Sequence, residues 1–303
     1  MAVKTVAIVG SGLIGRAWAM IFARGGYAVR LHDALDGVAE KAVDLCAEGL
    51  RGLAASGLCD DPAGAASRIT AAKSLAEALD GVALVQENGP EVVHIKREIF
   101  AELDRLAPPD AILASSSSAI RISLFASELA GRARCLIAHP VNPPHLVPIV
   151  ELSGADFTDP AVIARARAIY EEIGQVPITV LKEVEGFIVN RLQGALLAEA
   201  FRLVHEGYVT PEDLDKTVKD GLGLRWSFMG PFETIELNAP GGIADYCARF
   251  TGFYKSLAAE PPAPTVYDTP RVAEQWTPAP DLAAKMKWRD GKLAALVAHK
   301  KKG

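Results

Sequence analysis

Two groups of residues in this chain have the types and spacing for chemistry. The first is His139, which follows the apolar run Cys135-Leu-Ile-Ala138, with Glu151 twelve positions later in a second apolar run, Ile149-Val-Glu-Leu152. Imidazole titrates near neutrality, so it can take a hydroxyl proton and return it in the reverse direction. A carboxylate beside it would orient the ring and stabilise the imidazolium that forms. The same pair also fits a core histidine satisfied by its neighbour, and that alternative stays open on the residues alone. The second group is Val6-Ala-Ile-Val-Gly10-Ser-Gly12-Leu-Ile-Gly15, followed by Asp33. Gly10 allows a tight turn, Gly12 lets the backbone approach a pyrophosphate, and Gly15 lets helix and strand pack closely. Leu13 and Ile14 lie within the same glycine turn as cofactor-binding candidates, ahead of the helix whose free N–H groups would receive that anion. A carboxylate at Asp33 accepts from a ribose 2′-hydroxyl and repels a 2′-phosphate, which favours NAD over NADP.

The elements that must position these residues follow from local pattern. Val6–Val9 reads as a strand, Arg16–Ala23 as a helix and Ala28–His32 as a second strand ending at Asp33, which is one βαβ unit. Strand alternation puts Arg30 and His32 on the opposite face from Leu31 and Asp33. Further strands are expected at Val82–Gln86, Ala111–Ala114, Cys135–Ala138, Ile149–Leu152 and Pro177–Leu181, with long helices at Val38–Ser56 and Asp159–Ile173. This alternation predicts an α/β fold: a doubly wound, mostly parallel sheet of Rossmann type with helices on both faces. His139 then sits at the carboxyl end of its strand, where ligands of open α/β sheets bind. Beyond Lys182 strand-like runs stop. Ile188–Glu206 has the pattern of one amphipathic helix closed by Gly207, and Thr210-Pro-Glu-Asp-Leu begins another with Thr as its cap. The expected organisation is a dinucleotide-binding domain over residues 1–182 and an all-helical domain over 183–303.

Composition narrows the class. At 303 residues the chain is long enough for two cores, and a net charge of −5 gives no reason to expect nucleic acid. Cys46, Cys59, Cys135 and Cys247 show neither a C-x-x-C pair nor metal-ligand spacing, so they read as thiols in a reducing compartment and no metal is expected. No signal peptide opens the chain and no apolar run reaches membrane-spanning length, so a cytoplasmic enzyme is the expectation. His145, in a proline-rich stretch, reads as a surface loop residue.

The strings GSGLIG…D, SSSS, AHPVNPP…VEL, GFIVNRL and DGLGLRWSFMGPFETIELNA together resemble the 3-hydroxyacyl-CoA dehydrogenase family over essentially the whole chain, and within it the branch of lambda-crystallin and L-gulonate 3-dehydrogenase. The resemblance implies that His139 is the catalytic base and Glu151 its acidic partner. It implies that Ser118 contacts substrate hydroxyl and nicotinamide, and that Asn190 binds the substrate oxygen. Glu91 and Lys96 match positions that contact the ribose and nicotinamide side of the cofactor. Other roles remain available: Ser118 can cap a helix and Asn190 can bond a neighbouring loop. The implied partner state is a homodimer formed through the helical domain, with a small-molecule substrate and no membrane.

The substrate is read from charge. Acyl-CoA members carry lysines on the segment after the second strand, for the CoA phosphates; here Asp44–Ser56 has only Arg51 and no lysine. Arg225, in Gly223-Leu-Arg-Trp226, is placed in a loop of the helical domain and offers a fork for a small carboxylate, with Asn238 contributing. A surface or dimer contact is the competing role for Arg225. The lead expectation is oxidation of the 3-hydroxyl of a small hydroxy-carboxylate, L-gulonate to 3-dehydro-L-gulonate. L-carnitine, 3-hydroxybutyrate or a 3-hydroxyacyl-CoA are alternatives, with Trp226, Phe228 and Glu233 available to an ammonium. A non-catalytic, crystallin-like NAD-binding protein is the alternative of another class.

Overall fold

The computed structural model describes residues 4–257, 275 and 279–300. Its first part alternates strand and helix: β1 (Thr5–Val9), α1 (Leu13–Arg24), β2 (Ala28–His32), α2 (Val38–Ala55), α3 (Pro62–Ser67), β3 (Ile69–Ala71), α4 (Leu75–Leu79), β4 (Leu84–Glu87), α5 (Val93–Leu106), β5 (Ile112–Ser115), α6 (Ser123–Ala126), β6 (Cys135–Pro140), β7 (Ile149–Ser153), α7 (Pro160–Glu172) and β8 (Val176–Val180). The strands form one eight-stranded sheet in the order β3-β2-β1-β4-β5-β6-β7-β8. Every neighbouring pair is parallel except β6 and β7, which run antiparallel. The doubly wound, mostly parallel sheet expected from the sequence is therefore what the chain forms.

Alternation along each strand distributes the core to both faces. Val6 and Ile8 of β1, Ile112 and Ala114 of β5, and Leu136 and Ala138 of β6 pack with Trp18, Ile21 and Phe22 of α1 and with Ala166, Ile169 and Tyr170 of α7. Ala7 and Val9, Leu113, and Cys135 and Ile137 face the other way, against Phe100 and Leu103 of α5 and Phe125 of α6. Trp18, Phe22 and Tyr170 form a buried aromatic group with ring centroids 5.4–6.1 Å apart.

Two compact units make up the chain: Met1–Asn190 with Asp281–Gly303, and Arg191–Pro280. This differs from the expected division at 182 in one substantial respect, since the C-terminal helix Leu282–Lys300 groups with the sheet. The reason is apolar packing: Ala294 is buried in the sheet's core, with Leu293, Val297 and Ala298 against it. Among its described residues the other unit is built of helices joined by turns, with no strand. It continues α8 (Val189–His205), then adds α9 (Pro211–Lys216), a π-helical turn over Thr217–Leu222, α10 (Gly223–Trp226), α11 (Pro231–Glu236) and α12 (Gly242–Leu257). Gly207 ends α8 with φ +81°, a left-handed position that glycine adopts without strain. Thr210 caps α9 by accepting from the Asp213 N–H, with Pro211 at the first helical position, as the sequence predicts. Among the described residues no helix is long and apolar enough to cross a membrane.

Candidate active site

The glycine turn is built as the spacing requires. Gly10 has φ +91°, and a Cβ there would lie 2.8 Å from the Asn88 carbonyl oxygen. A Cβ on Gly15 would run into the carbonyl oxygen of Gly10, so α1 can lie this close to the turn only with hydrogen at that position. Around Gly12 a Cβ would meet nothing within 4 Å; its face is open, as a backbone that receives a bulky anion must be. Leu13 and Ile14 form the first turn of α1, and Leu13 is exposed there. Asp33 follows β2 and accepts from the N–H groups of Ser11 (2.7 Å) and Leu35 (3.1 Å), which fixes its carboxylate beside the turn while each oxygen keeps a lone pair for a further donor. A cavity of about 580 Å³ is lined by Gly10, Gly12, His32, Asp33, Leu75, Asn88, Gly89, Pro90 and Ile99, among others. The shape and donors of this cradle fit a dinucleotide. Gly15→Ala should accordingly lose dinucleotide affinity by at least about tenfold and lower thermal stability, because backbone and not a flexible side chain must yield; isothermal titration calorimetry with scanning calorimetry checks both.

His139 and Glu151 are brought together by the antiparallel pairing of β6 and β7, in which they are directly opposed. His139 Nδ1 donates to Glu151 Oε2 at 2.7 Å. His139 is 6% exposed and the Glu151 carboxylate is fully buried. An ionised carboxylate only accepts, so Nδ1 carries the proton and, in the neutral ring, the lone pair is on Nε2. Glu151 Oε1 accepts from the N–H groups of Ile188 (2.8 Å) and Val189 (3.0 Å) at the start of α8. Burial alone would push the Glu151 carboxyl up; the bonds from His139, Val189 and Ile188 outweigh it and hold the group below the ordinary carboxylate value.

A second knot ties Ser118 and Asn190 to the same region. Asn190 Nδ2 donates to the Ser118 carbonyl oxygen at 2.7 Å. Glu91 Oε1 accepts from Ser117 Oγ (2.6 Å) and from the N–H groups of Ser118 (3.0 Å), Ala119 (3.1 Å) and Ile120 (3.3 Å). Burial works against ionisation of Glu91, but these donors and the charge of Lys96 hold its carboxyl below the ordinary value. Lys96 is 1% exposed: its ammonium lies between Glu87 at 3.0 Å and Glu91 at 3.8 Å. In the helical unit Arg225 is exposed, and it lies in the short helix α10, not in a loop, because the π-helical turn before it continues straight into α10. Asn238 is exposed after α11, and Glu233 is occupied in capping α11, where Oε2 accepts from the Gly230 N–H at 2.8 Å. His145, expected on the surface, is partly buried, its Nδ1 has no hydrogen-bond partner among the described residues, and burial lowers its pKa.

Sequence reasoning did not find Phe187, Glu87 or Ser117. Phe187 is buried with φ +49°, a strained backbone for a residue with a side chain, and its ring centroid lies 5.4 Å from that of His139. Its position between Gly186 and the α8 start is the only hint the sequence carries.

The family models decide the kinship. The NAD-binding domain of 3-hydroxyacyl-CoA dehydrogenase matches residues 5–184, and the C-terminal domain of that family matches 186–281. The chain belongs to the 3-hydroxyacyl-CoA dehydrogenase family. It is 43% identical to the lambda-crystallin homolog of Rattus norvegicus over 302 residues, covering 96% of this chain and 94% of the relative. To the L-carnitine dehydrogenase of Streptomyces coelicolor it is 36% identical, covering 84% and 80% of the two chains. Among solved structures it is similar to 5-formyl-3-hydroxy-2-methylpyridine 4-carboxylic acid 5-dehydrogenase, an NAD+-dependent dismutase, with a TM-score of 0.84, 29% identity and 97% of each chain covered. The protein is thus an NAD-dependent oxidoreductase of the 3-hydroxyacyl-CoA and hydroxy acid dehydrogenase type. NAD fits the open glycine turn and the fixed Asp33 carboxylate already described.

Proposed function

We propose that this protein oxidises the 3-hydroxyl of a small hydroxy-carboxylate, with L-gulonate, giving 3-dehydro-L-gulonate, as the lead substrate. The observation that carries the reading is the buried Glu151 carboxylate bonded to His139 Nδ1, which leaves Nε2 as the base. Gly10, Gly12, Leu13, Ile14 and Gly15 would hold the pyrophosphate, Asp33 the adenosine ribose, and Glu91 and Lys96 the nicotinamide side. NAD, when bound, supplies the hydride acceptor. Ser118 and Asn190 hold the substrate oxygen while His139 Nε2 takes the hydroxyl proton, and Glu151 stabilises the imidazolium that results. Arg225 is assigned to the substrate carboxylate. Residues 1–182 carry the cofactor-binding role and the helical region the substrate and dimer roles. The unpaired thiols and the exposed Leu192, Phe250, Phe253 and Leu257 of the helical unit support a cytoplasmic homodimer.

A free acid is preferred to a CoA ester because Asp44–Ser56, most of it in α2, carries Arg51 as its one cation. L-carnitine is the second reading, favoured by a relative that bears that name and by the exposed Trp226 and Phe228. It is weakened by Glu233, whose carboxylate is already committed to the α11 cap. NADH absorbance with L-gulonate, L-carnitine, L-3-hydroxybutyrate and 3-hydroxybutyryl-CoA tests the reading: L-gulonate should give the highest kcat/KM. Arg225→Met should then raise KM for that acid roughly 10- to 100-fold, the worth of one charged fork, with little change in NAD affinity. An unchanged KM removes Arg225 from the site.

A further inference from the structure

Glu87 has no role in the chemistry above, yet it is the most heavily engaged buried carboxylate at the carboxyl edge of the sheet. It closes β4 with no exposed surface. Its Oε1 accepts from the Gly89 N–H at 2.5 Å and from Lys96 Nζ at 3.1 Å. Its Oε2 accepts from Lys96 Nζ at 3.0 Å and from Ser115 Oγ at 2.5 Å. Ser115 Oγ in turn accepts from the Ser117 N–H at 3.2 Å. A charge taken this far from water is stable only when paired and fully hydrogen-bonded, and Glu87 meets that condition with donors from three segments.

Those segments are the ones that frame the dinucleotide cradle and carry Ser118. Gly89 lines the 580 Å³ cavity directly after β4. Lys96, on α5, faces Glu87 on one side and Glu91 on the other, with the Phe125 ring of α6 at 6.0 Å. Glu91 then gathers the N–H groups of Ser118, Ala119 and Ile120. We infer that Glu87 is the positioning residue of the site: its carboxylate fixes the Lys96 ammonium and locks the loops after β4 and β5 into one arrangement. Its effect on substrate, through Ser118, rests on the dehydrogenase reading above; its effect on NAD does not.

The test measures NAD affinity of the full chain by calorimetry without substrate, together with amide hydrogen exchange at Ser118–Ile120. Glu87→Gln preserves shape and removes the charge. It should weaken NAD binding by about tenfold, the worth of one charge-assisted contact, and speed exchange at Ser118–Ile120 while β1 and β2 amides keep their protection. In the Glu87→Gln/Lys96→Met double variant, affinity should match the Lys96→Met single within about twofold, because both changes break one unit. An affinity within about threefold of wild type, unchanged loop exchange, or effects that multiply in the double variant overturns the inference. If Glu87→Gln does not fold, Glu87→Asp keeps the charge on a shorter arm and should still weaken NAD by about threefold or more; a smaller change overturns it. A wild-type protein that binds NAD but oxidises none of the four alcohols defeats the substrate reading and leaves this test standing.

Discussion

His139→Gln is expected to lower kcat by roughly 10²- to 10⁴-fold, the range that a positioned acid–base group supplies, while NAD affinity changes by less than about threefold. Glutamine approximates the size of imidazole and keeps a polar group facing Glu151, so the packing against Phe187 at 5.4 Å should survive. What it cannot do is accept a proton at neutral pH. The nearby glycine cradle is built from other residues, which is why cofactor binding should not follow the loss. Stopped-flow measurement of NADH formation, paired with calorimetric NAD titration, separates the two quantities. Near-full turnover by His139→Gln would remove the imidazole from the mechanism.

The parts of this molecule that could be read in advance are those in which one local rule decides. The βαβ unit is legible because Gly10, Gly12 and Gly15 answer to backbone geometry over a few residues, and the observed φ of +91° at Gly10 is that geometry. Thr210 and Gly207 are legible as helix punctuation for the same reason. By contrast β3 is three residues long and exists by pairing with β2, so nothing in Ile69-Thr-Ala71 marks it by itself. The return of Leu282–Lys300 to the sheet is likewise illegible: an apolar stripe states that a helix packs, but not against which unit. The glycines flanking Arg225 suggest a loop, and the helical turn before it overrides them.

The site divides along the same line. Residue type and strand position single out His139 and Glu151 as candidates, but the direct opposition that makes them a pair depends on β7 running antiparallel to β6. Glu87 and Phe187 become visible only in three dimensions. Glu87 matters through donors at Gly89, Lys96 and Ser115, which converge from separate segments. Phe187 matters through a left-handed backbone that no propensity favours for an aromatic residue, which is the kind of local strain that folds retain near functional groups.

Glu151 offers the sharper experiment, because its two oxygens do different work. Oε1 takes the N–H groups of Ile188 and Val189, and Oε2 takes the Nδ1–H of His139. Glutamine at this position can keep its carbonyl oxygen toward the two backbone donors, so stability should fall by little. Its amide NH2 then faces His139 and can only donate, which forces the ring into the tautomer protonated on Nε2. A ring in that state has no lone pair for the substrate hydroxyl, and kcat should fall by about 10³- to 10⁴-fold, as when the acid behind a catalytic histidine becomes an amide. Glu151→Ala removes both functions: two partly buried N–H groups lose their acceptor at about 1 kcal/mol each, so this variant should lose both turnover and thermal stability. The pH dependence follows from the sign of the shift. Glu151 is held below the ordinary carboxylate value in the folded protein, so its stabilisation is present in full above that value and is lost as pH falls through the depressed one. Wild type should therefore lose stability on acidification more steeply than Glu151→Gln, in which no proton is taken up at this position. Calorimetric scans of the three proteins from neutral to acid pH, set beside their turnover, test the division of labour; equal turnover in wild type and Glu151→Gln would show that the carboxylate does not set the tautomer of His139.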